Sequence, residues 1–222
     1  MPYKFSPSSL NLLKECHRCF WLHFNKNIRR PQGIFPSLPS GMDRTMKEHF
    51  DKYMRKGELP PELKELNEHV KLFDDEKLLN EWRSNRKGIR WEYSDGTVLK
   101  GAVDNILVLK KDGKLIVLDY KTRGYPLKDD TAGHYQDQLD IYYYLLQKNG
   151  QNVENYGYLL FYYPLEVDEK GHVFFETKLV KMSIEIKNAE NIVHKALDLL
   201  KNEIPNQSKD CHYCNWVEKC KF

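Results

Sequence analysis

The spacing of apolar and polar residues changes character twice along this chain. Residues 6–25 read as a helix, with Ser6 as its cap and Pro7 in the first turn, and Leu10, Leu13, Phe20 and Phe24 form an apolar stripe at helical spacing. Residues 30–40 (RPQGIFPSLPS) are Pro-rich and read as a loop. Helical patterns follow near 42–56, 61–73 and 75–86. The period then shortens to two, with strands over 89–94 and 97–109 around the turn Ser94-Asp95-Gly96, and another over 114–121 after Asp112-Gly113. A long helix over 131–149, strands near 155–163 and 172–182, and a helix over 186–202 complete the pattern before a cysteine-rich tail. These elements predict an α/β (α+β) fold with a central mixed sheet flanked by helices. They divide one domain, 1–222, into a helical part (1–88), a sheet-bearing core (89–185) and a C-terminal helix with its tail (186–222).

Composition adds limits. A chain of 222 residues with 41% hydrophobic content can bury a substantial core. A net charge of +3 permits a nucleic-acid partner without requiring one. No apolar run approaches the ~20 residues of a membrane span, and residues 1–14 lack the apolar stretch of a signal peptide, so a soluble, cytoplasmic protein is expected. In a reducing compartment the five cysteines are better read as metal ligands or buried thiols than as disulfides.

Two groups of residues carry chemistry. The first lies in GAVDNILVLKKDGKLIVLDYKTRG, residues 101–124. With Asp112-Gly113 as the central pair of a tight hairpin, Ile106 faces Asp119 and Asp104 faces Lys121. Because residues two apart on a strand share a face, Asp104, Asp119 and Lys121 converge on one side. A lone D-x-K is more often a solvated surface pair, worth little. Asp119, however, follows Leu115-Ile116-Val117-Leu118, a run that predicts a buried strand, and a buried charge needs a partner or a metal. Two carboxylates are suitable hard ligands for Mg²⁺ or Mn²⁺, and a neighbouring lysine can orient a water or stabilise developing negative charge.

The second group is the tail, CHYCNWVEKC, with Cys211, Cys214 and Cys220 at C-x2-C-x5-C spacing. Three cysteines in ten residues have no packing rationale and point to a metal site. A fourth ligand must come from Cys16 or Cys19, three residues apart on the first helix. Two C-x2-C pairs, Cys16/Cys19 and Cys211/Cys214, would suit zinc and leave Cys220 idle. The basic segment 27–30 could meet phosphates or be simply solvated.

The pattern of Gly101-x-x-Asp104, a hairpin, and Asp119-x-Lys121 resembles the PD-(D/E)XK nuclease superfamily. HYQDQLDIYYYLL, with Gln138 and Tyr142 one helical turn apart, resembles the Q-x-x-x-Y helix of its RecB-like branch, with Gln136 a weaker match. The resemblance implies a restriction-endonuclease-like core and a Mg²⁺- or Mn²⁺-dependent DNA nuclease, an exonuclease. Asp104, Asp119 and the backbone carbonyl of Tyr120 would hold the metal, Lys121 would act on the water, and Gln138 and Tyr142 would support the site or contact DNA. An upstream helix should add one more ligand. In SGMDRTMKEHFDKY, Asp43 is preferred, then His49, with Glu48 also competing.

The opening SPSSLNLLKECHRCFWLHF resembles the first segment of iron–sulfur RecB-like nucleases, a group that includes the CRISPR-associated exonuclease of spacer acquisition and the AddB nuclease domain. By that resemblance Cys16, Cys211, Cys214 and Cys220 would hold a 4Fe-4S cluster, with His17 at a place usually taken by proline. The implied partners are DNA, single-stranded or with free ends, and a helicase or CRISPR adaptation proteins. The chain carries no G-x4-G-K-[ST] loop, so any motor would be separate. The competing reading is a nucleic-acid-binding or assembly module without turnover. Retention of both acids and the lysine argues against it.

Overall fold

The structure is a computed structural model that describes residues 2–220. The chain begins with strand β1 (Lys4–Phe5) and helices α1 (Pro7–Glu15) and α2 (His17–Lys26). Ser6 caps α1 as expected, accepting from the Ser9 amide at 3.2 Å while Ser9 Oγ accepts from the Ser6 amide at 2.8 Å. The helix expected over 6–25 breaks at Cys16, which is extended (φ −161°, ψ 112°) and both closes α1 and opens α2. Nothing in the local apolar stripe marks this break. Its effect is tertiary: the Cys16 side chain turns inward and is completely buried.

Helix α3 (Ser37–Lys56) starts inside the segment expected as loop and ends on Gly57, whose φ of 70° favours glycine. The helix expected over 61–73 is a short 3-10 turn, Pro61–Leu66, followed by β2 (Val70–Leu72). Val70 and Leu72 are buried and Lys71 is exposed, but three residues are too few for alternation to separate a strand from a helix. The first 88 residues, expected as helical, therefore contribute two strands as well as helices, of which α4 (Glu76–Arg83) is the last.

Strands β3 (Ile89–Glu92), β4 (Val98–Gly101), β5 (Asn105–Leu109) and β6 (Leu115–Thr122) follow. The single strand expected over 97–109 is thus two strands in different sheets. β4 lies in a three-stranded sheet, order β1-β4-β3, and β5 in a five-stranded one. The second sheet is completed by β7 (Tyr156–Val167) and β8 (Val173–Ser183), in the order β2-β5-β6-β7-β8. β6 and β7 are parallel and the other neighbours antiparallel, so the expected central mixed sheet is present. Helix α5 (Gln136–Lys148) connects the parallel pair, and α6 (Ile186–Lys201) and α7 (His212–Lys219) close the described chain. Among the described residues no helix is long and apolar enough to cross a membrane.

β6 is central, and Leu115 through Tyr120 are all buried, as suits a strand covered on both faces. α5 lies against it with Leu139 through Leu146 buried without interruption. Tyr143 fastens helix to sheet. Its hydroxyl accepts from the Val117 amide at 2.9 Å and donates to the Tyr156 carbonyl at 2.5 Å. The middle of α5 is thereby held on the first half of β6 and on β7, and the start of α5 meets the end of β6 through Lys121 and Gln138.

The β5–β6 hairpin differs from the count by two residues. Ile106 pairs with Val117 and Asn105 with Leu118. The Leu109 amide donates to the Lys114 carbonyl, and the Gly113 amide to the Leu109 carbonyl, both at 2.9 Å, so residues 110–113 form the loop. A slip of two preserves the faces, whereas a slip of one would reverse them. Continued by one step, the register sets Asp104 across from Asp119 rather than from Lys121.

Candidate active site and metal centre

Asp104 occupies the irregular step between β4 and β5, where the chain passes from one sheet to the other. Its Oδ2 accepts from the Tyr120 amide at 2.9 Å, and its Oδ1 lies 3.0 Å from the Lys47 ammonium. Lys47 projects from α3 and also pairs, at 2.8 Å, with Asp43 one turn earlier. Arg83 fixes the backbone here, donating from Nε to the Asp104 carbonyl and from an η nitrogen to Asp51, each at 2.7 Å. Asp43, Lys47 and Asp51 thus form an i, i+4, i+8 line along α3 that faces the start of β5.

Asp119 is buried on β6 and pairs with the Lys121 ammonium. The oxygen that meets the ammonium is Oδ2, which is sealed from solvent. Lys121 also donates to Gln138 Oε1 at 2.8 Å and lies 4.5 Å from the centre of the Tyr135 ring. Gln138 Nε2 in turn donates to the Tyr142 hydroxyl at 2.7 Å. The amide of Gln138 is therefore oriented: Tyr142 takes its N–H, which leaves the carbonyl oxygen for the lysine.

The charges are strongly coupled. Burial pushes the Asp119 carboxyl up to about 7. Lys121 works against that shift and the neighbouring Asp104 adds to it. Burial also opposes the charge on Lys47, but Asp104 and Asp43 outweigh it and hold the ammonium above its ordinary range. Burial beside Asp119 and Asp104 drives Tyr142 well above the usual phenol range, so its hydroxyl stays neutral.

The donor set suits a hard divalent cation: two neighbouring carboxylates, one of them buried, whose charge in the absence of a cation is met by lysine ammonium groups. The Tyr120 carbonyl leaves its strand on the same edge as the Tyr120 amide, toward Asp104. The structure brings Asp104, Asp119, Lys121, Gln138 and Tyr142 together, with Asp43 one step out, behind Lys47. It does not bring His49 to them. His49 Nε2 lies 3.2 Å from Glu62, which also accepts from the Tyr162 hydroxyl at 3.0 Å. Two residues past Lys47 is about 200° around a helix, so His49 belongs to another face. Gln136 is also engaged elsewhere, with Asp140 and the Ser183 carbonyl at 2.8 and 2.7 Å. Lys47 and Arg83 were not anticipated. Their only sequence signal is the spacing from Asp43 to Lys47, which many exposed helices share.

The second constellation is a cluster of four thiols. The sulfurs of Cys16, Cys19, Cys211 and Cys214 all lie within 4.8 Å of one another. Cys19 is 3.6 Å from both Cys211 and Cys214, and Cys16 is 3.9 Å from Cys214. Cys220, expected as the fourth ligand, is exposed and outside the group, and Cys19 stands in its place. The cause is α7. Cys211 precedes that helix and Cys220 follows it, which separates them by about 13 Å of helical rise. Arg30, in the basic segment 27–30, points into this centre, with an η nitrogen 3.6 Å from Cys211 Sγ. It also pairs with Glu15 and lies 4.5 Å from the centre of the Tyr213 ring.

Comparison with known proteins places the chain in a family. A family profile described as "PD-(D/E)XK nuclease superfamily" matches residues 36–221, most of the chain. No curated protein matches. Among solved structures, "Crystal structure of SSO0001" aligns over 100% of this chain and 87% of that one, with 15% identity and a TM-score of 0.44. With the profile spanning both carboxylates, the lysine and the helix that supports them, the chain belongs to the PD-(D/E)XK nuclease superfamily.

Proposed function

We propose that residues 1–222 act as one nuclease domain that hydrolyses DNA phosphodiester bonds, working as an exonuclease on single strands or free ends. The observation that carries this reading is the buried Asp119 beside Asp104, with the Lys121 ammonium in contact with its carboxylate. Mg²⁺ or Mn²⁺ fits Asp104, Asp119 and the Tyr120 carbonyl. Such an ion lowers the pKa of a bound water and neutralises phosphate charge.

The chain's own residues supply the rest. Lys121 stands where it can hold the attacking water and balance charge on the phosphate in transit. Gln138 keeps the Lys121 ammonium in place, and Tyr142 fixes which end of the Gln138 amide meets it. Lys47 holds Asp104 from the α3 side and moderates the negative charge of the site. The cysteine centre shares no residue with this network, so its part is structural.

The test uses end-labelled single-stranded DNA, linear duplex and circular single strands with Mg²⁺ or Mn²⁺. Cleavage of the linear substrates but not the circle is expected, with 5′-phosphate and 3′-hydroxyl products, and an Asp119→Asn variant should lose it. Equal cutting by wild type and variant would overturn the site. DNA binding with no cleavage in either metal would overturn the activity.

A further inference from the structure

We propose that the cysteine centre holds a single tetrahedral zinc ion on Cys16, Cys19, Cys211 and Cys214, with Arg30 balancing its charge. This excludes a four-iron cluster on a set that includes Cys220. The inference is independent of the nuclease reading, because its test measures metal rather than DNA cleavage.

The two halves of the centre are built alike. Cys16 is the extended residue that precedes α2, and Cys211 is the extended residue that precedes α7 (φ −76°, ψ 99°). Cys19 and Cys214 each lie three residues on, in the first turn of their helix. The carbonyls of Cys16 and Cys211 each accept the amide four residues later, Phe20 and Asn215, both at 3.0 Å. Two C-x2-C pairs thus present their sulfurs from matching helix starts. The dipoles of both helices favour negative charge there.

The distances fit one ion. A Zn–S bond of about 2.3 Å gives a tetrahedron whose sulfurs are about 3.8 Å apart. The close sulfur pairs are 3.6, 3.6 and 3.9 Å, and no pair exceeds 4.8 Å. In a four-iron cluster each thiolate binds a different corner of a cube, so the sulfurs stand farther apart than around a single metal. Cys220 would have to return from the far end of α7 to join them.

The surroundings fit as well. Cys16, Cys19 and Cys211 are buried and all four are free thiols, so the group is neither a disulfide pair nor a solvated surface cluster. Four thiolates around Zn²⁺ leave two negative charges. The Arg30 guanidinium approaches Cys211 Sγ, and its Nε is buried with no hydrogen-bond partner among the described residues. A half-buried guanidinium, already paired with Glu15 on one side, is further stabilised by an anionic centre on the other, and the anionic centre by the guanidinium.

The experiment measures zinc, iron and labile sulfide in the full chain after anaerobic purification from medium containing both metals. Wild type and Cys220→Ser should each carry stoichiometric zinc and no visible iron–sulfur absorption. Cobalt exchanged for zinc should give the spectrum of a tetrahedral thiolate site. Cys19→Ser should lose the metal, and Arg30→Met should retain it about tenfold less tightly against a chelator. Iron with sulfide in wild type would overturn the proposal. So would metal lost in Cys220→Ser, or a metal-free wild type with disulfides. Cys220→Ser decides the matter even if Cys19→Ser fails to fold.

Discussion

Lys47 holds one oxygen of Asp104 at 3.0 Å, and the Tyr120 amide holds the other at 2.9 Å. Helix and central strand therefore meet at one carboxylate, and the carboxylate cannot rotate away from Asp119. Lys47 also occupies charge space that a divalent cation needs. Lys47→Met should tighten half-saturation by Mn²⁺ about fivefold, the ~1 kcal/mol scale of a partly buried ion pair. Calorimetric titration of the metal-free protein measures it, and unchanged or weaker binding would show that Lys47 does not compete with the cation.

Asp119 sets a pH dependence. Its folded carboxyl is raised to about 7 from an ordinary 3.8, so between these values the folded state binds a proton that the unfolded state has released. With respect to this group, stability of the metal-free protein should be greatest below about pH 4, fall between about pH 4 and 7, and level off above 7. Asp119→Asn should remove that slope. Urea unfolding from pH 4 to 8, compared between the two proteins, reads it directly.

Proton and metal compete for the same carboxylate. Divalent-cation affinity should therefore rise with pH up to about 7 and then level off. Titrations at several pH values check this. A flat profile would mean that Asp119 is already ionised in the folded protein.

Gln138→Ala should lower kcat roughly 10- to 100-fold with little change in KM for DNA, because it frees Lys121 without removing it. Tyr142→Phe should produce a smaller loss of the same kind. The two act in series, so the double variant should be no worse than Gln138→Ala alone. Additive losses would separate Tyr142 from the relay.

Gly101 is a packing requirement of the site. A Cβ added there would lie 2.8 Å from a Tyr142 ring carbon, with a Leu145 methyl at 3.1 Å. Gly101→Ala should cost about 1–3 kcal/mol in stability and disturb Tyr142. Thermal melts should show a lowered Tm, with activity falling alongside.

The site was largely legible because the period of a strand is two. The loop at 110–113 is longer than the tight turn that Asp112-Gly113 suggests, but an error of two residues leaves every side chain on its own face. The buried run Leu115–Leu118 announced a central strand, and the i, i+4 spacing of Gln138 and Tyr142 announced a helix face. Lys47 was illegible because its partner, Asp104, is 57 residues away in sequence. No local pattern records that contact.

By itself, the sequence determined the alternation of helices and strands, the face shared by Asp104, Asp119 and Lys121, and the existence of a cysteine centre joining the chain's two ends. These depend on local periodicity and on residue chemistry, both written along the chain. Tertiary structure decided that Cys16 breaks the first helix, that β4 and β5 part into two sheets, that His49 turns away, and that Cys19 rather than Cys220 completes the thiol cluster. Each depends on where a side chain must go to reach a partner distant in sequence. Such closure is set by packing and by the rise of an intervening helix, neither of which local spacing contains.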